Sequence, residues 1–166
     1  PVVNSSRVFL SPQRYIQGPG VIKNCGLYIS LINAKHVGVL ASKRGFSAEA
    51  ANVLQSLSEA GIEYSKAEFR GECSKEEVER HTNDLMSAKP DCILAVGGGK
   101  LVDAGKCIAY RLNCQVGIIP TLASNDAPCS SISVLYTVDG VTDVVEYFPQ
   151  NPAFVIVAVS YTHLRA

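Results

Sequence analysis

The chain has 166 residues, 47% hydrophobic and 18% charged, a balance that excludes a disordered tail and fits one globular domain. Fifteen Lys and Arg offset fifteen Asp and Glu, so the net charge is zero, and neither nucleic acid nor an anionic membrane surface is indicated as a partner. No apolar stretch approaches the roughly 18 residues that span a bilayer, and PVVNSSRVFL at the start shows no signal-peptide pattern.

In chain order, Gly18-Pro19-Gly20 reads as a helix-entry turn and 36–41 as a strand. Ser47 is expected to cap a helix with Glu49 in its first turn; Ala51, Leu54, Leu57 and Ala60 form its stripe and Gly61 stops it. A second strand is expected over 62–69. Ser74 and Glu77 have capping-box spacing and open a helix to about Ala88, broken by Lys89-Pro90-Asp91. His81 is expected on its exposed face. The apolar run 92–96 suits a strand covered on both faces. Gly97-Gly98-Gly99-Lys100 follows at once, then a helix to about Leu112 and a strand over 116–119.

This alternation predicts an α/β fold, a Rossmann-like parallel sheet with flanking helices and right-handed crossovers. Beyond it, 121–131 is polar and turn-rich. A β-hairpin is expected from 132–138 and 144–148, joined through Asp139-Gly140. Asn151-Pro152 leads into a last strand, 153–159. The domain is assigned to 1–159; 160–166 reads as a non-native tail, a genuine short tail being the alternative, and His163 within it is given no role.

Six cysteines, at 25, 73, 92, 107, 114 and 129, include no C-x-x-C pair, which argues against a structural zinc site. They read mostly as small buried hydrophobes of a reduced, cytoplasmic protein.

Glycines 97–99 stand where a strand meets a helix. Bare backbone lets a ligand approach closely, and the helix start favours an anion such as a dinucleotide pyrophosphate. A tight turn without a ligand is the alternative. Two common motifs fail here. In a Walker A loop Leu94 would have to be Gly and Leu101 Ser or Thr, and the Rossmann fingerprint lacks its third glycine. Asp103 and Lys106, at i and i+3, form either a solvated ion pair or a site in which Asp103 fixes the glycine turn or a ribose hydroxyl. The stretch 120–131 follows a strand, where ligand groups gather in open α/β sheets.

Val-Gly-Gly-Gly-Lys-x-x-Asp-x-x-Lys (96–106) and Pro-Thr-x-Ala-Ser-x-Asp-Ala-Pro-x-Ser-x-x-Ser-Val-x-Tyr-Thr (120–137) together resemble the iron-containing alcohol dehydrogenase family, related in fold to dehydroquinate synthase. Tyr15 to Gly20 and Asn151-Pro152 match too, and the resemblance covers about residues 7 to 157. It implies the cofactor-binding half of a metal-dependent, NAD(P)-linked polyol dehydrogenase that converts glycerol to dihydroxyacetone. Gly97, Gly98, Gly99 and Lys100 would hold the pyrophosphate. Thr121 and Ser124 would line the adenosine and ribose side. Ser130, Ile132 and Tyr136 would approach the nicotinamide, and Asp126 the small polyol substrate. Asn125 stands where the family often has Thr.

The family's metal ligands, for zinc or iron, belong to a helical C-terminal domain that is missing here. The resemblance therefore implies a fragment without catalysis of its own, and a homo-oligomer when intact. After the 36–41 strand the family often has an Asp for the adenosine ribose. This chain has Ser42, then Lys43 and Arg44, which suits NADP as well as NAD. Another alcohol substrate within the family, or a non-catalytic nucleotide-binding module, are the alternative readings.

Overall fold

Alternation of side chains along buried strands builds the centre of the molecule. In β2 (His36–Ser42) and β4 (Cys92–Gly97), Val37, Val39, Ala41, Cys92, Leu94 and Val96 face one apolar layer, while Leu40, Ile93 and Ala95 face another. A strand buried on both faces needs no polar alternation, which explains the continuous apolar runs. The structure, a computed structural model, describes residues 10–122 and 126–158.

Six parallel strands run in the order β1-β8-β5-β4-β2-β3. The others are β1 (Tyr15–Gly18), β3 (Glu63–Phe69), β5 (Gln115–Pro120) and β8 (Phe154–Ala158). Helices α1 (Cys25–Ser30) and α3 (Glu49–Glu59) bring Ile29, Val53 and Leu57 to the first layer. Helices α4 (Lys75–Met86) and α5 (Gly99–Arg111) bring Val78, Leu85, Val102 and Ile108 to the second. Two further strands, β6 (Ile132–Tyr136) and β7 (Thr142–Tyr147), pair antiparallel as a separate hairpin.

The turn at Asp139-Gly140 joins them, with Gly140 at φ 82°. Gly61, at φ 69°, ends α3, and the Ile62 N–H reaches back to the Leu57 carbonyl at 2.9 Å. The expected α/β class is found, with its parallel sheet and both helix layers.

Several local expectations are corrected. Ser47 does not cap α3; Ala48 holds that position without a side-chain bond. Ser42 instead accepts the Gly45 N–H at 3.0 Å and starts a four-residue helix, α2 (Lys43–Phe46), which Ser47 ends. The cap lies at the strand end, so helical structure begins earlier than periodicity suggests. His81 is 1% exposed, not on the solvent face. Strand β1 and α1 were not foreseen, because the edge strand Tyr-Ile-Gln-Gly has only four residues and no fully buried one. Gly18-Pro19-Gly20 does serve as a helix entry, with Gly20 at φ 69°. The last residues, 159–166, lie outside the described ones.

Candidate functional site

From β2 the chain crosses through α3 to β3 on one side, and from β4 it crosses through α5 to β5 on the other. The order therefore reverses between β2 and β4. At such a switch point the loops leaving the carboxyl ends of the strands part and open a crevice. A cavity of about 840 Å³ lies there, lined from the ends of β2, β3, β4 and β5.

The floor is the glycine turn. Gly98 takes the N-cap position of α5 at φ −84°, and none of the three glycines has a positive φ. Space, not dihedral angle, explains Gly97, where a Cβ would come 2.8 Å from Leu101 Cδ1; one at Gly98, 3.2 Å from Leu122 Cδ1, would ask only a few tenths of an ångström from that side chain. The Thr121 N–H bonds the Gly97 carbonyl at 3.0 Å, tying the end of β5 to the turn. No side chain caps the start of α5, whose first residues, Gly99 to Leu101, line the cavity, and the first N–H groups of a helix have no partner within it.

Of the residues singled out by sequence, Ser42, Gly97, Gly98, Gly99, Lys100 and Thr121 line this cavity. Lys100 is paired with Glu72 at 2.7 Å, its ammonium 5.4 Å from the centre of the Tyr136 ring. Glu72 holds the Lys100 pKa above its ordinary value. Tyr136 is not among the residues lining the cavity and meets it only through this contact with Lys100.

A second group of candidates sits away from the glycine turn, under the hairpin. Asp103 and Lys106 are 8% and 3% exposed, so the solvated-pair reading is corrected. Lys106 Nζ lies 2.9 Å from Asp103 Oδ1 and donates to the carbonyls of Ala127 and Ile132. Asp103 Oδ2 accepts the Val134 N–H at 3.2 Å, and Ser133 Oγ donates to the Asp103 carbonyl at 3.0 Å. Asp103 is not among the residues lining the cavity; the hairpin engages its carboxylate. Ser130 Oγ approaches Lys106 Nζ at 3.4 Å, whereas the Ile132 side chain is 37% exposed. Asp126 is exposed at the start of a 3-10 turn, Ala127–Cys129. Ser124 and Asn125 lie outside the described residues.

Sequence reasoning missed the contribution of β3. Glu68, Arg70 and Gly71 line the cavity, and Glu72 beside them holds Lys100. Their signal was only that a parallel strand beside β2 must end at the same edge. The cysteines are all free; Cys25, Cys73, Cys92 and Cys107 are buried, Cys114 half-buried and Cys129 exposed. Burial pushes the Cys25 thiol up to about 12, which makes it inert as a nucleophile. Among the described residues no group of three His, Cys, Asp or Glu side chains converges to hold a metal, and no helix is long and apolar enough to cross a membrane.

Fold and crevice together define an open, doubly wound α/β domain with a glycine-floored cavity at its switch point. The chain belongs to the iron-containing alcohol dehydrogenase family, whose sequence profile matches residues 12–159. It is 38% identical over 151 residues to a glycerol dehydrogenase of Escherichia coli O6:H1, covering 91% of this chain and 41% of that protein. With one from Pseudomonas putida it shares 38% over 153 residues, and the two shares covered are again 91% and 41%. The crystal structure of a probable glycerol dehydrogenase from Sinorhizobium meliloti 1021 superposes with a TM-score of 0.86 at 32% identity, over 95% of this chain and 42% of that one. A 1,3-propanediol oxidoreductase structure reaches a TM-score of 0.86 at 19% identity, over 97% of this chain and 48% of that one, a likeness of fold. The chain thus spans about two fifths of the length of the curated relatives it matches.

Proposed function

We propose that this chain is the coenzyme-binding part of a metal-dependent, NAD(P)-linked polyol dehydrogenase, converting glycerol to dihydroxyacetone. One observation carries the reading: a bare glycine turn at the start of α5 floors a cavity at the sheet's switch point. The relatives named glycerol dehydrogenase favour the polyol.

In this reading the free N–H groups at the start of α5 receive the diphosphate, with Gly97, Gly98 and Gly99 keeping the approach clear. Lys100 adds charge at the mouth. We assign Thr121 and Ser124 to the adenosine and ribose, and Ser130, Ile132 and Tyr136 to the nicotinamide. Asp126 receives the polyol hydroxyls, as a carboxylate accepts hydrogen bonds from adjacent O–H donors. Bound nicotinamide supplies the hydride acceptor for the carbinol carbon. The described residues do not fit a metal, so the metal dependence rests on the family alone.

Titration calorimetry of the chain with NADH tests the reading. Gly98→Asp places a carboxylate against the diphosphate, while its Cβ asks only a few tenths of an ångström from Leu122. Affinity should fall by about tenfold or more. Equal binding by wild type and variant would refute the role given to the turn.

A further inference from the structure

Two sides of the cavity differ in how their cations are used. On the glycine side, Lys100 is committed to Glu72. On the opposite side, Lys43 and Arg44 follow β2, and Arg70 follows β3. Strands β2 and β3 are neighbours in register, Ser42 opposite Phe69, so these three residues leave the sheet side by side. All three are exposed. Among the described residues none of their side chains has an ion-pair or hydrogen-bond partner. Glu49 and Glu68 line the same cavity, yet neither comes within ion-pair distance of them.

Like charges on one side of a cavity, none of them ion-paired among the described residues, repel one another, and an anion that joins them relieves that repulsion. The diphosphate is already provided for at the start of α5, one strand away: Ala41 of β2 pairs with Val96 of β4, beside the glycine turn. A second anionic group of the same ligand therefore meets the cations. In open α/β sheets a carboxylate at this strand edge receives ribose hydroxyls, whereas an arginine accommodates a phosphate on that ribose. Here β2 ends in Ser42, whose hydroxyl already accepts the Gly45 N–H. Guanidinium forks match phosphate oxygens in pairs, and an ammonium adds charge.

We propose that Lys43, Arg44 and Arg70 form a site for a phosphate monoester on the adenosine ribose, so that the coenzyme is the 2′-phosphorylated dinucleotide. The inference rests on the dinucleotide reading above and deepens it.

Calorimetric titration of this chain with NADPH and NADH in parallel decides it. NADPH is expected to bind about tenfold more tightly, as the sum of several exposed charge pairs. In Arg44→Gln/Arg70→Gln the ratio of the two dissociation constants should fall to near one, and 2′,5′-ADP should lose its advantage over 5′-ADP. Both residues are exposed, and circular dichroism verifies that the variant is folded. NADH binding as tightly as NADPH, or more tightly, overturns the phosphate site. A ratio that survives in the variant also overturns it. Failure of both coenzymes to bind sinks the dinucleotide reading itself, and this inference with it.

Discussion

Lys100 stands in the first turn of α5, where an incoming anion would meet it, yet Glu72 already holds its ammonium at 2.7 Å. Glu72 is itself fixed, since its other carboxylate oxygen accepts the Cys73 N–H at 3.2 Å. A diphosphate at the glycine turn must therefore compete with Glu72 for Lys100. Glu72→Gln is expected to tighten NADH binding about threefold, a small effect because the pair is open to solvent and screened. In a Lys100→Met background the same substitution should change nothing, and calorimetric titration of the four proteins reads the difference. The glycines and Lys100 were legible in the sequence because they are contiguous and sit between a strand and a helix. Glu72 was not, since nothing in a sequence ties position 72 to position 100. The strand order keeps β3 away from β4, with β2 between them; Glu72 reaches Lys100 because the segment after β3 turns back toward α4, which packs beside α5.

At the scale of elements, α5 is the piece on which both halves of the chain meet. Its spacing and length were readable, but its burial was not. Leu101 to Ala109 are all buried, because the sheet covers one side while α4 and the hairpin cover the others. Gly105 is required there: a Cβ would come 2.6 Å from that of Ala95. The same cover turns Asp103 and Lys106 from an apparent surface pair into an internal one. Lys106 then fastens the 127–132 segment to the helix through the carbonyls of Ala127 and Ile132. Removing one partner of a buried pair leaves the other charge uncompensated. Lys106→Met is therefore expected to destabilise the chain by about 3 kcal/mol. Lys106→Met/Asp103→Leu, which removes both charges, should recover part of that. Urea unfolding of the two variants checks it, and a Lys106→Met midpoint equal to wild type would contradict the fastening role.

For the whole molecule, the alternation of strands and helices announced the sheet class and the glycine turn marked one wall of the cavity, but its far wall at β2 and β3 followed only from the reversal between β2 and β4. The same long-range packing explains His81, which local pattern placed in solvent. Helix α4 turns it inward, where its Nε2 lies 3.1 Å from Glu77 Oε1 and 2.9 Å from Arg80, while its buried Nδ1 has no hydrogen-bond partner among the described residues. Burial, and then Arg80, hold its pKa below the ordinary 6.5. Burial alone would raise Glu77, but the Arg80 side chain and the Arg70 N–H outweigh it and the carboxyl lies below its ordinary 4.5. Both groups are depressed in the folded state, so the unfolded chain takes up protons first as the pH falls. Stability that is full above pH 6.5 should decline below it through His81, and further below 4.5 through Glu77. Glu77 joins the end of β3 to α4 through the Arg70 N–H at 2.9 Å, and that loop carries Arg70 to the cavity, so acid should loosen the site along with the fold. Thermal melts from pH 7.5 down to pH 5 should show a falling midpoint in wild type and a shallower fall in His81→Leu, which has no proton to gain. A wild-type midpoint that stays level across this range would show that burial of His81 carries no protonation cost.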